Sequence, residues 1–124
     1  MTFDLFADEP GSPQKITMPD ADVVYFEDLF SLSEANSLLE KLKQEVTWQQ
    51  EKISLFGKEY DLPRLTAWYG NPAKTYTYSG ITVTSFAWID PLLEIKKRIE
   101  DVSSFSFNSV LLNRYRTGSD SVSW

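Results

Sequence analysis

The chain has 124 residues, 42% of them hydrophobic and 15% aromatic, enough to bury a core and too many for a disordered or fibrous protein. It contains neither cysteine nor histidine, which excludes a disulfide framework, a thiolate metal site and the imidazole-based zinc and non-haem iron centres. The net charge of -6 is unevenly placed: up to Thr47 ten acids face three bases, and from Trp48 onward nine bases face eight acids, so an anionic ligand is expected on the second part.

Residues 1–19 hold three of the six prolines and no periodicity, and read as a flexible leader. Val23-Val24-Tyr25-Phe26 is a short β-branched and aromatic run that predicts a strand. In SLSEANSLLEKLKQEV, Ser31 and Glu34 form a capping-box pattern, and Leu38, Leu42 and Val46, with Ala35 and Leu39, make a helical apolar stripe. From Trp48 to Val83, short aromatic runs broken by Gly57, Pro63, Gly70, Pro72 and Gly80 have the spacing of consecutive hairpins. IDPLLEIKKRIEDV predicts a second helix with Asp90 as N-cap and Pro91 in the first turn. Leu92, Ile95, Ile99 and Val102 line one face of it, and Lys96, Lys97 and Arg98 are expected to point outward. FNSVLLNRY is a strand. No apolar run approaches the roughly 18 residues that a membrane helix requires, so no membrane partner is expected.

Two groups of residues could carry chemistry. On the last strand, alternation puts Leu111, Asn113 and Tyr115 on one face and Val110, Leu112 and Arg114 on the other. An amide and a phenol side by side suit a small carboxylate ligand in a barrel mouth; equally, they suit an edge strand whose polar groups are satisfied by backbone. In LFGKEYDLPRLTAWYG and YTYSG, Phe56, Arg64, Trp68, Tyr69, Tyr76 and Tyr78 are interleaved with Lys58 and Lys74. Such a set suits a splayed-out base and its phosphates, or else simply builds the core of a sheet.

LFGKEYDLPRLTAWYG, YTYSG and FNSVLLNRYRTGSDSVSW, in this order and spacing, resemble the AlkB family of iron- and 2-oxoglutarate-dependent nucleic-acid dealkylases, in particular the members acting on alkylated DNA bases. The resemblance runs from about Val23 to Trp124. It implies an α+β fold: a partial double-stranded β-helix (jelly-roll-like) with two backing helices and an N-terminal hairpin nucleotide-recognition lid over about residues 48–83, residues 20–124 being the N-terminal part of the dioxygenase domain. In the family, the Asn-Arg-Tyr strand and its glycine-containing turn lead to a His-x-Asp pair of iron ligands, and Trp124 looks like the residue just before that histidine. The resemblance therefore implies Fe(II) and 2-oxoglutarate as cofactors of the intact enzyme, with iron not expected in this chain and no turnover expected from it alone.

By the same resemblance, Asn113 and Tyr115 match positions that hydrogen-bond 2-oxoglutarate. Tyr76 and Tyr78, with Ser79 beside them, match the lid residues that contact the nucleic-acid backbone and stack on the flipped base. Phe56 corresponds to a hairpin-tip residue that fills the gap left by that base, and Arg64 and Thr66 fall on a strand lining the substrate side. Trp68 and Tyr69 are matched by motif, with either of them free to face the pocket. The implied activity is repair of alkylated DNA, or RNA, by oxidative demethylation of N-methylated bases such as 1-methyladenine and 3-methylcytosine, in the cytoplasm (nucleoid-associated if bacterial). The alternatives are a non-catalytic nucleic-acid-binding module and, third, a bare protein-interaction domain, against which Lys58, Arg64 and Lys74 speak. Separately, Thr2 to Phe6 (TFDLF) is either a tail with chance hydrophobics or a docking segment. It looks like the pentapeptide by which bacterial repair proteins hold the sliding clamp, with Thr2 in place of the usual glutamine and Phe3 in place of leucine.

Overall fold

The computed structural model describes residues 13–71, 75–78 and 81–122, the side chains of 75–78 and 81–84 excepted. The chain divides into two compact units between Glu40 and Lys41. In the first, β1 (Pro13–Met18) pairs antiparallel with β2 (Ala21–Phe26), and Met18 opposite Ala21 closes the hairpin. Its loop is Pro19–Asp20, with φ 55° at Asp20, the pattern of a type II turn. The segment read as a leader is thus not without structure throughout. Gln14, Ile16 and Met18 alternate with Lys15 and Thr17, a pattern too short to stand out beside its prolines but sufficient once β2 supplies partners.

Helix α1 (Leu32–Glu45) begins at the capping box. Glu34 N–H donates to Ser31 Oγ at 3.1 Å, and Ser31 N–H donates to the Glu34 carboxylate at 3.0 Å. Of the apolar stripe, Leu38 and Val46 are buried and Leu42 is half-buried, whereas Ala35 and Leu39 are exposed. Positions four apart stay on one side of a helix while Leu39 lies about 100° round from Leu38, and the buried stripe is one row wide.

In the second unit, β3 (Lys52–Leu55) and β4 (Lys58–Asp61) form a hairpin with the two-residue loop Phe56–Gly57, whose φ values are 52° and 78°. Two positive φ angles in succession are what a type I′ turn demands. β6 (Thr75–Tyr78) and β7 (Ile81–Thr84) form another hairpin. Between them β5 (Leu65–Gly70) departs from the expected run of local hairpins, because it pairs antiparallel with the distant β8 (Ser109–Arg114). On its other edge Thr66 exchanges backbone bonds with Gln49 at 2.8 and 3.0 Å, and Phe86 bonds to Trp68 and Gly70 at 2.9 Å. LTAWYG is accordingly an inner strand, bonded on both edges.

Alternation assigns Ala67 and Tyr69 to the same side of this sheet as Val110 and Leu112. That side carries the core, where Val46, Ala67, Tyr69 and Leu92 pack with Leu42, Trp48, Trp88 and Ile89. The Tyr69 hydroxyl accepts the Thr47 N–H at 2.8 Å, which secures the chain just after α1. At Gly70 an added Cβ would lie 2.9 Å from Asn108 O, so the close approach of β5 to β8 there requires glycine.

Helix α2 (Asp90–Ser103) is capped by Ile89 rather than Asp90, and no side chain caps it. Ile89 packs on the core and its carbonyl accepts the Leu93 N–H at 3.0 Å, so the helix starts one residue earlier than its sequence signals suggest. Asp90 and Pro91 remain in the first turn, where a negative charge and a missing N–H are both tolerated. Lys96 does not point outward. Its Nζ lies 5.7 Å from the centre of the Trp88 ring and 3.0 Å from the Glu100 carboxylate, with the aliphatic stem laid along the apolar side. Glu100 also accepts the Phe107 N–H at 2.7 Å, and these contacts hold its carboxyl below the usual glutamate range.

Candidate functional site

Among the described residues the helical contributions lie on one side of β5–β8, and the other side is exposed along β8 but buried at Thr66 of β5. In register, Thr66 faces Asn113 and Trp68 faces Leu111, and Tyr115 follows just beyond the end of β8. Leu111 and Tyr115 are 64% and 47% exposed, against the half-buried Val110 and Leu112 that alternate with Leu111. The alternation expected for this strand is the one observed, and it separates a packed face from a face with two hydrogen-bonding side chains. An apolar cavity of about 220 Å³ lies on the packed side, between α2 and β8, lined by Trp88, Leu92, Ile95, Ile99, Phe107 and Val110 among others. Apart from Ser109 and Lys96, whose ammonium is paired with Glu100, its lining is apolar and offers little to a carboxylate.

Among the described residues Asn113 meets a side chain and not backbone. Arg64 Nε–H donates to Asn113 Oδ1 at 3.2 Å, and Arg64 Nη1 donates to Ser121 O at 3.3 Å. Thr66 is 3% exposed, and its Oγ1 has no hydrogen-bond partner among the described residues. Of the Trp68–Tyr69 pair, Trp68 is on the open face, whereas Tyr69 is 2% exposed in the core with its hydroxyl bonded to Thr47, out of reach of a ligand on that face. Phe56 is fully exposed at its hairpin tip. For Tyr76 and Tyr78 only the strand is described, and Ser79, Trp124 and Thr2–Phe6 lie outside the described residues.

The turn after β8 has contacts that the sequence reading did not single out. Arg116 donates from Nε and Nη2 to the two carboxylate oxygens of Asp120 at 2.8 and 3.2 Å, and its own N–H adds a bond at 2.9 Å. The guanidinium and the backbone bond hold the Asp120 carboxyl below the usual aspartate range, and Asp120 raises the Arg116 guanidinium further. Arg116 Nη1 also reaches Gln50 Oε1 at 3.4 Å, and Gln50 Nε2 donates to Glu51 O and Leu62 O at 3.1 and 2.9 Å. Gln50 thereby links the base of the β3–β4 hairpin to the turn that follows β8. The four-residue spacing of Arg116 and Asp120 across a glycine is a legible signal for the turn; nothing local marks Gln50.

An amide, a phenol and a guanidinium on one open face provide donors for a dicarboxylate. Iron is different. The chain has no histidine or cysteine, and the described residues contain no group of three or more acids arranged to hold a metal ion. The residues present do not fit an iron centre.

A sequence model of the 2OG-Fe(II) oxygenase superfamily matches residues 22–124. Among curated proteins, the mouse DNA oxidative demethylase ALKBH2 is 39% identical over 97 residues, covering 76% of this chain and 41% of its own length. The mouse alpha-ketoglutarate-dependent dioxygenase alkB homolog 3 is 42% identical over 103 residues, 82% of this chain and 35% of its own. The Arabidopsis thaliana DNA oxidative demethylase ALKBH2 is 34% identical over 108 residues, 84% and 34% respectively. The chain spans about a third to two-fifths of the length of these relatives. It belongs to the 2OG-Fe(II) oxygenase superfamily and, within it, to the AlkB family.

Proposed function

We propose that this chain carries the cofactor strand and the nucleotide-facing elements of an enzyme that repairs alkylated DNA by oxidative demethylation of N-methylated bases such as 1-methyladenine and 3-methylcytosine. The observation that supports it best is the open face of β5–β8, where Asn113, Tyr115 and Arg64 adjoin Trp68 and Leu111. The relatives named above are themselves called DNA oxidative demethylases and alpha-ketoglutarate-dependent dioxygenases. In this reading the Asn113 amide and the Tyr115 hydroxyl donate to 2-oxoglutarate. A 2-oxoglutarate held there would supply, in the intact enzyme, two of the electrons for the reduction of dioxygen.

Trp68 offers an aromatic face to the extruded base. Bases methylated at N1 of adenine or N3 of cytosine carry positive charge and pair poorly, so extrusion costs little and an aromatic face attracts them. The exposed Phe56 ring is the residue that enters the stack. The β3–β4 and β6–β7 hairpins form the nucleotide-recognition lid, β5 and β8 are early strands of a double-stranded β-helix, and the iron ligands lie outside these residues, in an enzyme of which this chain is the N-terminal part.

The test is binding to a labelled single strand carrying one 1-methyladenine and to its unmethylated twin, as DNA and as RNA. The methylated DNA strand is expected to bind more tightly by about 0.5–2 kcal/mol, the usual worth of a cation over an aromatic face, with the difference lost in Trp68→Ala. Equal affinity for the two strands overturns the reading. The same exposed face serves a second reading, a nucleic-acid-binding module without catalysis. Formaldehyde release by a version extended through the His-x-Asp motif separates the two: its presence supports the enzyme, and its absence from a folded, iron-loaded protein supports the module.

A further inference from the structure

An asparagine amide has an acceptor at one end and donors at the other, so its use at a carboxylate site depends on which end is turned toward the ligand. Arg64 settles this for Asn113. A guanidinium has donors only, so the atom of Asn113 that meets Nε–H at 3.2 Å is necessarily Oδ1. Both Nδ2 hydrogens are then turned away from Arg64, on the exposed face of β8. Arg64 is itself held in place: Nη1 donates to Ser121 O at 3.3 Å, and Ser121 N–H donates to Pro63 O at 2.9 Å, one residue before Arg64. Opposite Asn113 in the register, the buried Oγ1 of Thr66 is a second polar atom on the same side of the sheet without a partner among the described residues.

We infer that Arg64 is a positioning residue for the cofactor: it fixes the Asn113 amide with Oδ1 toward the guanidinium and its donors turned away from it, ready for a carboxylate of 2-oxoglutarate. The inference rests on the reading of this face as the cofactor site. Arg64 lies just before β5, and the inference gives it a part on the cofactor side in addition to the substrate side that the family resemblance implies for it. A carboxylate meeting the oxygen end of the amide is repelled, so orientation decides whether Asn113 helps or hinders. An amide released from Arg64 and free to flip spends about half its time in the wrong orientation, which by itself raises the apparent dissociation constant about twofold.

The experiment is NMR on the 15N-labelled 124-residue chain, without metal, following the side-chain NH2 of Asn113 during titration with 2-oxoglutarate. In the parent chain the Asn113 NH2 is expected to be as ordered as the strand that carries it and to shift on titration. Arg64→Ala should disorder it and raise the apparent dissociation constant at least about twofold, while Arg64→Lys, still donor-only, should restore much of the order and the affinity. Should the alanine variant not fold, Arg64→Met keeps the stem and removes the donors. An Asn113 amide that is equally ordered and equally responsive without Arg64 overturns the inference. If instead its order depends on Arg64 but 2-oxoglutarate moves neither Asn113 nor Tyr115 in any chain, the orientation by Arg64 stands and the cofactor reading of the face falls.

Discussion

At the scale of single residues, the two faces of β5–β8 separate packing from binding. Tyr69→Phe removes the acceptor of the Thr47 N–H while leaving the ring in the core, and should cost about 1 kcal/mol in urea unfolding with ligand affinities unchanged. Asp120 offers a pH test. Its carboxyl is held below the usual aspartate range by Arg116, so its contribution is fully present above the unfolded aspartate pKa and is lost as pH falls through the folded value. Asp120→Asn should therefore lower the urea midpoint at neutral pH, and the gap from the parent chain should close in acid, as pH falls below the ordinary aspartate range. A gap of constant size from neutral to acid pH contradicts the Arg116–Asp120 pairing.

At the scale of elements, local chemistry explains how each begins and ends. Ser31→Ala removes the acceptor of the Glu34 N–H and should destabilise α1 by about 1 kcal/mol, read as lost helicity and a lower urea midpoint. The β3–β4 loop sets stability against exposure. A bulky residue at φ 52° is strained by about 1–2 kcal/mol, and Phe56 gains nothing from burial there. Phe56→Asn should stabilise the hairpin, because asparagine tolerates the left-handed region, and should weaken binding to double-stranded methylated DNA if the ring enters the stack. A variant that is more stable and binds duplex equally well removes Phe56 from the nucleotide side. Gly70→Ala should destabilise by about 1–3 kcal/mol, since Asn108 O at 2.9 Å from the new Cβ is backbone and cannot rotate away.

For the whole molecule, the balance of apolar burial governs behaviour in solution. Among the described residues six hydrophobic side chains are buried while seventeen large ones are exposed, including Leu111, Phe105 and Phe56. Together with the outer edges of β8 and the hairpins, this predicts self-association or a shallow melt. Sedimentation of the purified chain is expected to show oligomers growing with concentration; a sharp, concentration-independent melt of a monomer contradicts this. Mixed with Fe(II), 2-oxoglutarate and a methylated oligonucleotide, the 124-residue chain is expected to release no formaldehyde, since its residues do not fit the metal. Measurable release would show that iron finds ligands here that the composition does not suggest.

The sequence by itself determined what depends on near neighbours. The capping box at Ser31 and Glu34, the two helices, the strand alternation that puts Asn113 apart from Val110 and Leu112, and the AlkB-family motifs are all legible there, because each involves residues a few positions apart. Three features were decided only by tertiary structure. β5 is an inner strand because β8, Gln49 and Phe86 reach its two edges, and hydrogen bonds between distant segments leave no local period. Trp68 and Tyr69 are adjacent aromatics whose roles diverge once helices cover one side of the sheet; without knowing which side is covered, alternation separates them but cannot name them. Arg64 and Asn113 meet across 49 positions, and only their contact shows which end of the amide faces outward, because a donor-only neighbour admits a single orientation.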